Sequence, residues 1–213
     1  MSAHCCSHQP RFEGVSPAYR RVLWAVIAIN AAMFLVEAAA GVAAGSQALK
    51  ADALDFLGDT ATYGLSLYVI GKPLLWRSRA ALLKGASLAL FGVWVLGSTA
   101  YEVLVLGLPA AHVMGAVGLL ALAANVASAL LLMRWRDGDA NVRSVWLCSR
   151  NDAVGNVAVV LAAGAVWLTG TGWPDLVVAA VMAGLFLSGA AGITRQAWGE
   201  LHGARRAEPL PAG

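Results

Sequence analysis

The chain has 213 residues, of which 59% are hydrophobic and only 13% charged, with a mean hydropathy of +0.68. A soluble domain carries about 25% charged residues, so that class is excluded and an integral membrane protein is implied. The net charge of +3 is accounted for by basic residues flanking apolar stretches, so nucleic acid is not an expected partner.

Residues 1–20 read as a cytoplasmic tail, too polar to be a cleavable signal peptide. It holds His4, Cys5, Cys6 and His8, thiols and imidazoles suited to capturing Zn(II), Cd(II), Hg(II) or Cu(I). Adjacent cysteines do not match zinc-finger spacing, and three cysteines in all cannot build a disulfide framework. Apolar stretches then follow at 22–44, 48–70, 81–106, 110–133, 145–168 and 176–193, each near or above the ~20 residues needed to cross a bilayer. They predict an all-α fold of six transmembrane helices over residues 21–195, followed by a short tail, 196–213.

Orientation follows from the arginines and lysines. Arg11, Arg20 and Arg21 precede the first span, Lys72, Arg77, Arg79 and Lys84 surround the second loop, Arg134, Arg136 and Arg143 the fourth, and Arg195, Arg205 and Arg206 follow the last. The opposite loops, near Gly45, Pro109 and Gly172, carry almost none apart from Lys50. The positive-inside rule therefore puts both termini in the cytoplasm.

Charge inside the spans is the informative feature. Asp55 and Asp59 stand four residues apart in the second span, where each buried charge costs at least ~2.5–3.5 kcal/mol and so needs a partner, a water-filled cavity or a substrate path. With Asp52 they fall within an arc of about 60° on a helical wheel, while Leu54, Phe56, Leu57, Tyr63 and Leu65 are assigned to the remainder. Asp52 has a second reading, as a helix cap or a partner of Lys50.

In the fifth span the stretch Cys148, Ser149, Arg150, Asn151, Asp152 repeats the four-residue spacing with Cys148 and Asp152. Two facing helices would bring three carboxylates and a thiol together, a site for a divalent cation. Arg150 projects about 160° away from Asp152, so it either answers another acid, with Glu37 and Asp52 as candidates, or snorkels to the cytoplasmic side. Asn30 and Glu37 share a face of the first span, Asn156 lies one turn beyond Asp152, and Tyr101 and Glu102 close the third. Asp52, Asn30, Glu37, Asn156 and Asn151 are thus candidates for supporting the site or lining a path, beside the plainer reading of polar contacts between helices.

With these residues in view the chain resembles the cation diffusion facilitators. The segment Ser46, Gln47, Ala48, Leu49, Lys50, Ala51, Asp52, Ala53, Leu54, Asp55, Phe56, Leu57, Gly58, Asp59 is similar to that family's second-helix signature, and Cys148 with Asp152 matches its fifth-helix His and Asp. Asn30, Glu37, Gly41, Pro174 and Asp175 are further echoes. The resemblance implies a homodimeric antiporter in a bacterial cytoplasmic membrane, with no permanently bound cofactor. It would export a divalent metal, zinc first and cadmium close behind, in exchange for protons through a tetrahedral site of Asp55, Asp59, Cys148 and Asp152. The sequence departs from the family in having Cys148 in place of His and no histidine-rich loop, and a short form without the cytoplasmic C-terminal domain is expected.

The residues support coupling on physical grounds. A dication leaving a negative interior works against ~2.3 kcal/mol per charge per 100 mV, and the same carboxylates can hold protons when metal is absent. Glycines such as Gly155, Gly164, Gly184 and Gly189 are expected to let helices slide or pack closely. Rivals are a passive cation channel, which favours weak repeated sites over one tight quartet, and a metal sensor without flux. An intramembrane aspartyl protease is disfavoured because Phe56 replaces the first Gly of its Gly-x-Gly-Asp motif.

Overall fold

A computed structural model describes residues 16–69, 74–105, 107–136 and 140–207. It is built from α1 (Pro17–Ala44), α2 (Gln47–Val69), α3 (Leu74–Val105), α4 (Ala111–Leu132), α5 (Ala140–Thr169) and α6 (Trp173–Ala207), with a 3₁₀ turn, Met133–Trp135, extending α4. Among the described residues there is no strand. The fold is that of an all-α membrane protein, as expected. The helix α6 continues to Ala207, so residues 196–207, expected as tail, extend the last helix.

Local chemistry sets the helix ends that matter. Ser16 caps α1 by accepting a hydrogen bond from the Tyr19 N–H at 3.1 Å, and Pro17 occupies the first turn, where its missing N–H costs nothing. At the other end Gly45 takes a left-handed φ of 66°. Its N–H bonds the Val42 carbonyl at 3.3 Å and the Ser46 N–H bonds that of Gly41 at 3.0 Å, closing a turn that L-residues with a Cβ adopt only under strain. This tight reversal lays α2 directly against α1.

Among the described residues five helical segments are long and apolar enough to cross a membrane. The exception is α2, whose 23 residues reach ~35 Å but carry Lys50, Asp52, Asp55 and Asp59. It is shielded instead, packing on α1, α3, α5 and α6. Helices α1, α2, α4 and α5 form one group, and α3 pairs chiefly with α6 and docks on α2. The outward surface is apolar, with Leu35, Leu90, Trp167, Leu168 and Leu185 exposed, as lipid requires.

The α3–α6 approach is close: a Cβ at Gly92 would stand 2.8 Å from Leu187 Cγ. Of the four glycines singled out from sequence, only Gly189 meets a neighbour, with Leu88 at 3.1 Å, whereas Gly155, Gly164 and Gly184 face open space. Close packing through those three is therefore corrected. The interior divides into an apolar cluster near the Gly45 turn (Ala48, Leu49, Val95, Met114, Val166 and Phe186), one at the opposite end (Tyr19, Leu23, Val26, Tyr63, Leu132 and Val145), and a small middle one of Met33, Phe56 and Ala121. Polar side chains are sandwiched between them.

Candidate metal transport site

Helix α2 turns its acidic stripe inward toward α5. Asp59 is buried and Asp55 half-buried. On the facing helix Asp152 lies close enough to act on both of them. Cys148, one turn away and half-buried, stands close enough to interact electrostatically with Asp55, Asp59 and Asp152. The four-residue spacing in each helix thus brings the expected side chains into one neighbourhood.

Among the described residues no three His, Cys, Asp or Glu side chains form a ready coordination shell.

Two residues at this site escaped the sequence reading. Tyr63 was placed outside the acidic arc, yet it follows Asp59 by four residues and lies on the same stripe. Its hydroxyl donates to Asp59 Oδ2, and it approaches the Val145 carbonyl and Ser149 Oγ at 3.4 Å each. The i, i+4 spacing was the available signal. Lys84 was counted among loop charges, but α3 begins at Leu74, which carries Lys84 into the bundle. There it acts electrostatically on Asp55, Asp59 and Cys148.

Asp52 is neither a helix cap nor a partner of Lys50. It is 1% exposed and accepts from Asn156 Nδ2 at 2.9 Å, while Asn156 Oδ1 accepts from Asn125 Nδ2 at 3.0 Å. The α2 N-terminus is held by other groups: Ser46 Oγ accepts from the Leu49 N–H at 3.0 Å. Asp175 of α6 accepts from Ser46 Oγ at 2.6 Å, the Gln47 N–H at 2.7 Å and the Ala48 N–H at 3.1 Å. A carboxylate here meets both the orphan amides and the positive end of the α2 dipole.

The remaining candidates sort by burial. Glu37 and Asn30 are fully buried on one face of α1. Asn151 is exposed and accepts from Arg150 at 3.1 Å, which turns it away from the site. Arg150 is itself exposed, lies 5.3 Å from the Trp146 ring centroid and answers neither Glu37 nor Asp52. Glu102 accepts from Gln47 Nε2 at 3.1 Å, beside a cavity of about 350 Å³ between α1, α2 and α3 that excludes the Asp55 neighbourhood. Tyr101 is exposed. His4, Cys5, Cys6 and His8 lie outside the described residues.

The described helices, five of them long and apolar enough to cross a membrane, define an integral membrane protein. Residues 76–201 match the cation efflux transmembrane domain family, and the chain belongs to that family of metal-cation transporters. The match spans Cys148, Asp152 and Asn156 of α5 and begins after α2. No curated protein matches the chain.

Proposed function

We propose that this protein exports a divalent heavy-metal cation, zinc foremost and cadmium close behind, from the cytoplasm in exchange for protons. Asp55, Asp59, Cys148 and Asp152 are the ligands. The observation that carries this reading is the convergence of Asp152 with both Asp55 and Asp59 beside Cys148. Carboxylates gathered this closely away from water are stable only with cations, protons included, among them. A metal or protons can meet that need, and one excludes the other. Exchange at a single site follows, with metal binding releasing protons.

Thiolate softness favours cadmium and zinc, while three carboxylates favour harder ions, so zinc leads. Mg(II) is disfavoured by its octahedral oxygen shell and retained waters. Tyr63 orients Asp59 through its hydroxyl, and the apolar clusters on either side separate the site from both ends of the bundle. Alternating access then requires α2 and α5 to tilt together.

Orientation rests on exposed Arg20, Arg21, Arg79, Arg134, Arg136 and Arg195, which the antiparallel order of helices collects at one end, the cytoplasmic one. The protein works as a homodimer in a bacterial cytoplasmic membrane, with His4, Cys5, Cys6 and His8 as accessory groups for capturing metal.

The test is pH-gradient-driven uptake of zinc and cadmium into everted vesicles, with lumenal pH followed simultaneously. Wild type should take up metal with matching proton release, and Asp59→Ala and Asp152→Ala should insert normally but transport neither. Normal flux in either variant refutes the four-ligand assignment, and metal flux without proton movement favours a channel.

A further inference from the structure

We infer that the cavity of about 350 Å³ between α1, α2 and α3 binds a single phospholipid whose headgroup carries a primary ammonium. The lipid belongs to the leaflet on the Gly45 side. Its acyl chain lies between α1 and α3, its phosphate meets Lys50 and its ammonium meets Glu102. This site goes beyond the transport reading and does not depend on it.

The helices line the cavity along matched faces. Phe34, Ala38 and Val42 follow one another at four-residue intervals on α1, as do Lys50 and Leu54 on α2, the spacing of one helix face. Eight residues separate Phe34 from Val42, and Trp94 from Glu102 on α3, so the cavity runs about 12 Å along the bundle. Both α1 and α3 pack on α2, but α1 otherwise turns to α4 and α3 to α6. The cavity therefore opens sideways toward lipid, with Val42 and Trp94 exposed at its edges.

Its two ends differ in chemistry. The deep end is walled by Phe34, Leu54 and Trp94, whereas Lys50, Gln47 and Glu102 line the end near the Gly45 turn. A Cβ at Gly41 would meet Lys50 Cγ at 3.1 Å, so the stem of Lys50 lies against α1. Among the described residues neither Lys50 nor Glu102 has an ion-pair partner. Lys50 acts on Asp175, but that carboxylate is already engaged by Ser46 and the amides of Gln47 and Ala48.

A second observation points the same way. Gln47 is 2% exposed, its Nε2 donates to Glu102 at 3.1 Å, and its Oε1 is buried without a donor. Turning the amide over would set its oxygen against that of Glu102, so this end of the cavity is short of donors. Hydrocarbon alone would leave a cation, an anion and an unpaired amide oxygen against an apolar medium. A zwitterionic headgroup answers both charges, because phosphate accepts from Lys50 and a primary ammonium brings N–H donors to the acceptor side. The apolar length below it takes the chain.

The test is native mass spectrometry of metal-free, full-length protein in detergent, with phosphatidylethanolamine, phosphatidylcholine or phosphatidylglycerol of matching acyl chains added. It reads both the lipid retained and the number of subunits. Wild type should retain phosphatidylethanolamine about tenfold better than phosphatidylcholine, whose quaternary ammonium has no N–H, or phosphatidylglycerol, which has no ammonium. Glu102→Gln, which keeps an acceptor for Gln47, should erase that preference, and Lys50→Met should weaken retention of all three lipids. Ala38→Trp, which fills the cavity from α1, should do the same. Equal retention of the three lipids by wild type overturns the site, as does a preference that survives both Glu102→Gln and Ala38→Trp. If Ala38→Trp splits a dimer and leaves lipid retention unchanged, the cavity receives a second copy of the chain and the lipid site is refuted.

Discussion

Asp175 offers a sharp test of how the bundle is held together, because its role is independent of metal. Its carboxylate accepts from Ser46 Oγ, the Gln47 N–H and the Ala48 N–H at 2.6, 2.7 and 3.1 Å, all buried. Asp175→Ala leaves two buried amides without an acceptor at about 1–3 kcal/mol each and removes a charge–dipole interaction worth about 0.3–2 kcal/mol. The expected loss is about 3–6 kcal/mol, and since 1.4 kcal/mol is tenfold, the folded-to-unfolded ratio falls by at least a hundredfold. Asp175→Asn keeps an acceptor oxygen but not the charge, and should lose about half as much. Denaturation in mixed micelles followed by circular dichroism measures the difference, and cadmium titration of the folded fraction should give unchanged affinity. Stability of Asp175→Ala within about 1 kcal/mol of wild type would refute the argument that this carboxylate anchors α2.

Two further predictions bear on selectivity and packing. Cys148→His should preserve zinc transport and lower the cadmium-to-zinc rate ratio, because imidazole is harder than thiolate; an unchanged ratio in vesicle uptake would make the thiol a packing group. Gly92→Ala should be less stable than Gly184→Ala by about 1–3 kcal/mol, since its new methyl meets Leu187 Cγ at 2.8 Å and the Ala183 carbonyl at 3.2 Å while Gly184 faces open space. Both substitutions gain the same helix propensity, so equal stabilities in the micelle assay would show that α3 and α6 do not approach as described.

The sequence by itself determined the membrane class, the helical spans and the pairing of Asp55 with Asp59 and of Cys148 with Asp152. Those properties depend on composition and on the 3.6-residue period, which any local stretch displays. It also marked Asn30 and Glu37 as sharing one face, now found buried. Tyr63 was within reach of the same arithmetic, since it repeats the stripe of Asp59, but an aromatic ring reads as core until a partner is seen.

Only the tertiary structure decided which polar groups meet. Asp175 reaches the start of α2 across more than a hundred residues of chain, and Asn156 joins Asp52 to Asn125 across three helices. Lys84 changed from a loop charge to a neighbour of the acids once α3 was seen to begin at Leu74. Arg150 turned to Trp146 and Asn151 at the surface rather than to a buried acid. Such pairings are set by how helices rotate and settle against one another, a collective outcome of packing that no single segment encodes. That is why the acidic stripe of α2 was legible from sequence, whereas the meeting of Asp52 with Asn156 and Asn125 emerged only from the assembled bundle.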